Sequence, residues 1–298
     1  MPIPVMILYM AVAGALVGLV SSFFGVGACF IMVPTMIYCF EHFMDVSPSL
    51  SPLIAFGTNM AVVVPTALSG VLRHRLELHR RGLAFPLRHY IYFALPVGLG
   101  GVTGSVFAFV FFTSFRAHAG IALKTLFGFF CLIGAYRFMR ARPIPVEEAP
   151  RASPLRFGVV GYLSGILAHF IGIGGGIIYM PMLNTVLRMP VHLSVPLSLA
   201  TMVVGSSVGA LSFIALGHID QVRHPADYPP LSVGWFNLAA FLTIGVASIL
   251  LAQVGPLIAH RTEPRRFKML LALVYVYIGL RLVINGLCQL MGMPRLIP

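Results

Sequence analysis

Residues 161–181 read GYLSGILAHFIGIGGGIIYMP, and the pattern also stands 147 positions earlier, at 14–34, as GALVGLVSSFFGVGACFIMVP. Eight of the 21 positions are identical without a gap: Gly14/Gly161, Leu16/Leu163, Gly18/Gly165, Phe23/Phe170, Gly25/Gly172, Gly27/Gly174, Ile31/Ile178 and Pro34/Pro181. Both copies sit inside long uncharged apolar runs. Glycine, lacking a Cβ, reaches φ > 0 and lets other backbone or a ligand come close, while proline ends or kinks a helix. Apolar segments interrupted by Gly and Pro at corresponding positions of two halves point to the binding site of a secondary transporter.

Composition sets the class. The 298 residues are 58% hydrophobic and 9% charged, with mean hydropathy +0.94. Soluble domains average about 25% charged residues, so the chain reads as an integral membrane protein. The net charge of +12 comes from 20 Lys and Arg, which stand mostly in loops between apolar runs. There they set topology; no basic stretch is long enough to form a nucleic-acid-binding domain. Cys29, Cys39, Cys131 and Cys288 lie in or beside apolar segments without CxxC spacing, so they read as buried small hydrophobes, neither a disulfide framework nor a metal site. No cofactor is indicated. The first apolar run continues to Phe40 with no Lys or Arg before it, which does not fit a cleavable signal peptide.

Residues 1–40 carry no Asp, Glu, Lys or Arg. As one helix they would extend about 60 Å, twice the ~30 Å hydrocarbon core, so a break at Gly25–Gly27 is expected. Further spans are expected at 46–72, 89–115 and 117–136. The second of these has a close-packing face at Gly100 and Gly104, and the third carries Lys124 near its end, placed to snorkel. A linker with four prolines covers 141–156. Beyond it lie an uncharged stretch at 157–187, spans at 193–216 and 231–257, a polar Pro-rich loop at 217–230, and a last span at 269–290 containing Arg281. At an offset of 143 the repeat continues: Thr58 falls on Thr201, Ser51 on Ser194, Ala67 on Ala210 and Glu77 on Asp220. The chain thus divides into a first transmembrane repeat (1–140), a cytoplasmic linker (141–156) and a second repeat (157–298).

Loop charge tests the topology. If all eight apolar segments cross once, loop Lys and Arg divide 12 inside to 6 outside; if each Gly-interrupted segment enters and returns on one side, they divide 15 to 3. The second arrangement fits the positive-inside rule better. It gives each repeat an odd number of crossings and therefore inverts the two halves. The fold expected is all-α and polytopic, two inverted repeats with Gly-broken re-entrant helical segments, multi-pass in the lipid bilayer of a cell membrane such as the bacterial inner membrane.

The doubled G-x-x-x-G…F-x-G-[VI]-G…P motif, the apolar segments and the Thr58/Thr201 pair resemble the sulfite exporter TauE/SafE family over essentially the whole chain. The second copy, with Gly172, Gly174, Gly175 and Gly176, is the cleaner match; in the first, Ala28 and Cys29 stand where two glycines are expected. The resemblance implies export of a small sulfur oxyanion or organosulfonate, such as sulfite or sulfoacetate. Physical chemistry is compatible with this. A helix broken at Gly172–Gly176 leaves unpaired N–H groups and a positive helix end, both attractive to an anion. Gly25 and Gly27 offer the same in the first copy. Thr58, Thr201 and the amide of Asn59 can complete a neutral cage of donors. The blander reading of these glycines is close helix packing alone.

Two ionisable residues stand near the middle of the apolar runs. His169, three residues before Gly172, is either a neutral histidine bonded to a backbone carbonyl or a group that couples protons to export. Arg281 lies 13 residues beyond Lys268 and either attracts the anion or snorkels to the far interface. Glu77 and Asp220 read as loop-ordering groups. A dinucleotide fingerprint fails because Ile177 stands where a third Gly is required. An intramembrane hydrolase with Ser164 and His169 is disfavoured, since five residues on a helix separate them by about 140°; no catalytic residues are assigned. The remaining alternative is a non-transporting receptor or scaffold.

Overall fold

The structure is a computed structural model describing residues 3–24, 29–80, 84–140, 153–252 and 264–293. Gly25, Gly27 and Ala28 therefore lie outside the described residues, as do the body of the linker and the basic loop after residue 252. The first half consists of α1 (Ile3–Phe24), α2 (Cys29–Phe43), α3 (Ser51–Arg80), α4 (Leu87–Ser114) and α5 (Arg116–Arg140). The second half holds α6 (Pro154–Phe170) and α7 (Gly176–Pro181), which runs into a π-helical turn at Met182–Val186. It continues with α8 (Val191–Arg223), α9 (Leu238–Ala252) and α10 (Pro264–Leu290). The start of α6 is set by its sequence: Ser153 accepts the Arg156 N–H as a cap, and Pro154 takes the first helical position.

Four described helices are long and apolar enough to cross a membrane, at Ser51–Arg80, Leu87–Ser114, His118–Tyr136 and Leu193–Arg223. Leucines 95, 99, 155, 211, 242 and 273 are exposed, giving the bundle the apolar exterior that lipid requires. The protein is an all-α, multi-pass membrane protein. Its centre is the first third of α3, where residues 51–60 are all buried.

Two local expectations are corrected. α3 continues through the basic stretch as far as Arg80, because Leu, Arg and Glu are good helix formers even beyond the apolar span. The segment at 231–237 does not begin a helix. It forms a two-stranded hairpin pairing Ser232 with Asn237 and Val233 with Phe236, turned by Gly234 at φ 58°. This hairpin drives Trp235 into the bundle against Phe109, Phe112 and Phe213, where the indole is fully buried.

Glycines set the closest helix contacts. A Cβ at Gly14 or Gly18 would run into the backbone of Ile244 or Ser248 on α9, and one at Gly161 or Gly165 into the carbonyls of Phe93 or Val97 on α4. The expected face at Gly100 and Gly104 meets the carbonyls of Tyr162 and Ile166 in the same way. Such contacts bring backbones together for van der Waals packing, the main attraction available between helices in lipid.

Pairings along the helices fix their directions. α3 and α8 run antiparallel, with Met60 beside Gly209 and Leu199 beside Gly70. α4 and α8 run parallel: Tyr90 donates to the Ala200 carbonyl and Val97 lies beside Gly205. α9 runs parallel to α3, since Asn237 reaches Thr58 and Ser248 reaches Thr66. α5 and α10 are antiparallel, with Thr125 beside Gly286 and Leu132 beside Gly279. Within the broken segments, Tyr9 of α1 faces Tyr38 of α2, and Phe93 of α4 meets Tyr179 of α7 at 6.0 Å between ring centroids.

At one end, Arg116 at the start of α5 pairs with Asp220 near the end of α8 and with Asp227 beyond it. Asp220 is buried and also accepts the Tyr228 hydroxyl at 2.7 Å, the loop-ordering role expected of it. Burial, then the neighbouring Asp220 carboxylate, pushes the Tyr228 phenol well up from its ordinary value.

Candidate functional site

The site begins where α6 stops. Gly172, Gly174 and Gly175 have φ of 68°, 65° and 88°, a region that side chains with a Cβ rarely enter. Gly172 donates to the His169 carbonyl at 3.2 Å and Ile173 to the Ala168 carbonyl at 3.0 Å, the paired bonds of a Schellman cap. The chain restarts at Gly175, whose carbonyl accepts from Ile178 and Tyr179 at 2.9 and 2.7 Å. Between these two turns the N–H groups of Gly174, Gly175, Gly176 and Ile177 meet no acceptor among the described residues. Residues 171–179 are all buried, and buried N–H groups are rarely left unpaired.

Neighbouring helices hold the break by its carbonyls. Asn59 of α3 donates its amide to the Gly172 oxygen at 2.8 Å, and Ser206 of α8 donates to the Gly174 oxygen at 3.3 Å. Two polar atoms beside the break are left over: the Asn59 Oδ1 and the Tyr179 hydroxyl are buried without a hydrogen-bond partner among the described residues. The Tyr179 ring packs across Gly175, and its hydroxyl lies over Gly205. Any Cβ at Gly175 would collide with that ring, and one at Gly172 would collide with Phe56.

His169 is buried one residue before the helix end. Its Nδ1 is 2.8 Å from the Gly165 oxygen and its Nε2 is 2.7 Å from the Gly205 oxygen. A carbonyl only accepts, so a neutral imidazole satisfies one of these contacts and an imidazolium satisfies both. The ring also lies against Gly101 and Gly209, near the midpoints of α4 and α8. Ser164 turns away to the Val160 carbonyl. With both ring nitrogens on carbonyls, no Ser–His relay exists.

The other expected residues fall in different surroundings. Thr201 sits one turn before Gly205, and its hydroxyl is buried without a partner among the described residues. Thr58 instead accepts the Asn237 N–H at 2.9 Å, anchoring the Trp235 hairpin. Gly176 is buried at the start of α7. Arg281 is half-buried and lines a cavity with Glu41 and Lys124. Lys124 does not snorkel: it pairs with Glu41 at 3.3 Å, both side chains only 6% exposed. Tyr179, Gly205 and the role of Ser206 went unread in the sequence; the one available signal was a tyrosine three residues after the Gly run. No group of His, Cys, Asp and Glu among the described residues has metal-binding geometry, and the four cysteines are buried and form no disulfide among the described residues.

A model of the family described as sulfite exporter TauE/SafE matches residues 10–282. The chain is 23% identical to a probable membrane transporter protein of Methanocaldococcus jannaschii, over 90% of its own length and 92% of the relative's. It is 22% identical to the probable membrane transporter protein YunE of Bacillus subtilis, over 93% and 97%. A probable membrane transporter protein of Haemophilus influenzae is 26% identical over 94% and 98%. No solved structure matches. These relatives are named as transporters and none as an enzyme, in keeping with a histidine held by two carbonyls. With the match covering nearly the whole chain, the protein belongs to the sulfite exporter TauE/SafE family of membrane transporters.

Proposed function

We propose that this transporter exports a small sulfur-containing anion, sulfite or an organosulfonate such as sulfoacetate, by alternating access through a site at Gly172–Gly176. The observation that carries the reading is the set of four buried N–H groups at the break, together with the Tyr179 hydroxyl, which has no partner among the described residues. Donors held ready in a dry site stabilise a negative charge strongly. They bear no fixed positive charge, so the ion is also free to leave. Thr201 extends the donor set, and Gly25 and Gly27 are the corresponding groups of the first copy. The family description supports the sulfur anion.

The two halves, 1–140 and 157–298 on either side of the linker, are read as inverted repeats. Support comes from exchanged packing: α1 lies on α9 through Gly14 and Gly18, and α6 lies on α4 through the equivalent Gly161 and Gly165. Helix directions support two re-entrant hairpins entering from opposite ends. α6 runs beside α4 as far as Gly101, and Tyr179 then returns to the level of Phe93. α1 runs beside α9, and α2 returns so that Tyr38 faces Tyr9. Rocking one half against the other would expose the break to each side in turn. Protons are the proposed coupling ion, with His169 as their carrier, because its two ring nitrogens face carbonyl oxygens on α6 and α8 and both can donate only when the ring is protonated.

Reconstituted vesicles assayed against sulfite, sulfoacetate, sulfate and acetate test the proposal. Saturable flux of the sulfur anions, with acetate excluded, is expected. Flux of none of the four would leave a receptor or scaffold, and preference for acetate would remove the sulfur specificity.

A further inference from the structure

Away from the break, a second polar site lies between α2, α5 and α10. A cavity of about 60 Å³ is walled by Glu41, His42, Lys124, Arg281, Asn285 and Gln289 among apolar residues. Arg281 stands nine residues before the end of α10 and Lys124 eight residues after the start of α5. At 1.5 Å per residue both cations are roughly 12–14 Å inside the bundle from the same end. A cation at that depth is costly unless it faces protein or a polar cavity.

The charges on the wall do not balance. Glu41 is engaged by Lys124 at 3.3 Å and by the Ser51 hydroxyl at 2.8 Å. Arg281 makes no ion pair among the described residues. One unpaired guanidinium, beside two side-chain amides, therefore faces the cavity. We propose that this cavity is a second anion-binding site, for a small oxyanion held by Arg281, with Glu41 neutralising Lys124 and so limiting the affinity.

Its volume admits an ion of a few heavy atoms. The nearer end is the one where α5 begins with Arg116 and α10 ends, opposite the basic loops, so the site is an outer vestibule. That assignment rests on the transport reading above; the binding itself does not.

Radiolabelled sulfate binding to the whole protein in nanodiscs of neutral lipid is the direct test, since it needs no transport and no knowledge of the substrate. Saturable, salt-sensitive binding is expected. Arg281→Gln should weaken it by about tenfold or more, as loss of a charged donor does, with partial recovery in Arg281→Lys. Glu41→Gln should tighten it, because the variant removes a negative charge from the cavity wall. Gly174→Val should leave this site intact, which separates its failure from failure of the central one. No saturable binding in the parent protein, or unchanged binding in a folded Arg281→Gln variant, overturns the proposal. Loss of sulfate binding in discs containing phosphatidylglycerol would assign the cavity to a lipid headgroup and overturn it equally.

Discussion

Asn59 on α3 donates its amide to the carbonyl oxygen of Gly172, 113 residues away in the chain and 2.8 Å away in space. The bond ties the central helix of the first half to the break in the second, while the Asn59 oxygen stays without a donor among the described residues. Asn59→Ala should remove the tie and leave a buried carbonyl unpaired, at a cost of about 1–3 kcal/mol. The checks are a lower midpoint of thermal unfolding in detergent and a parallel fall in substrate flux. An unchanged midpoint would mean that the break holds its shape without α3.

The glycines of the break make a second, sharper prediction. Gly174 has φ 65°, and a Cβ there would sit 3.1 Å from the Val63 side chain and 3.6 Å from both the Asn59 amide and the Ser206 hydroxyl. Gly174→Val should abolish transport while the protein still inserts and remains monodisperse. Gly158, in the same helix–break unit, has only the Pro96 ring within 4 Å of its Cβ position, so Gly158→Ala should transport normally. Equal flux in the two variants would remove the break from the mechanism.

How far the sequence disclosed all this varies with the distance between partners. The break was legible because Gly172, Gly174 and Gly175 adopt the very φ values for which glycine is needed, a local property. Asp220 was legible as a loop-ordering group because Tyr228 follows it by only eight residues. Thr58 was not: its partner Asn237 is 179 residues away, in a stretch whose apolar composition resembles the start of a span. Lys124 was misread because its carboxylate partner, Glu41, stands 83 residues earlier in the chain. Tyr179 looked like one more apolar residue, since only the fold brings its hydroxyl over Gly205. Long-range pairing of polar groups is a property of packing and leaves no periodic mark on the chain.

The two repeat-related threonines should therefore behave differently. Thr58→Val leaves the buried Asn237 N–H without its acceptor, and should lower stability by about 1–3 kcal/mol and loosen the Trp235 hairpin. Thr201→Val removes a hydroxyl that has no partner among the described residues, so stability should hardly change while substrate affinity falls. Thermal unfolding and equilibrium substrate binding, measured on both variants, separate the roles. The reverse pattern would exchange them.

His169 bridges α6 and α8 through the Gly165 and Gly205 carbonyls. Its protonated ring donates to both; on losing a proton it turns a lone pair toward one of them. The α6–α8 link should thus be strongest at low pH and weaken as pH rises. His169→Gln cannot change charge, so the pH profile of flux should flatten, measured with the same substrate gradient at each pH. A variant with the parent's pH profile would reject His169 as the carrier.

Helix directions make the last prediction, about sidedness. α3 ends and α4, α6 and α8 begin at one end of the bundle, whereas Arg116, the end of α8 and the end of α10 lie at the other. The loop arginines and lysines divide 15 to 3 between these ends, so the richer end should face the cytoplasm. All four native cysteines are buried, which keeps background labelling low. Glu263→Cys should therefore resist a membrane-impermeant maleimide added to intact cells, and react once the cells are opened. His224→Cys, on the exposed segment after α8, should react from outside at once. Labelling of Glu263→Cys from outside would require the second Gly-broken segment to cross the membrane, and with that crossing the two halves could no longer be inverted copies.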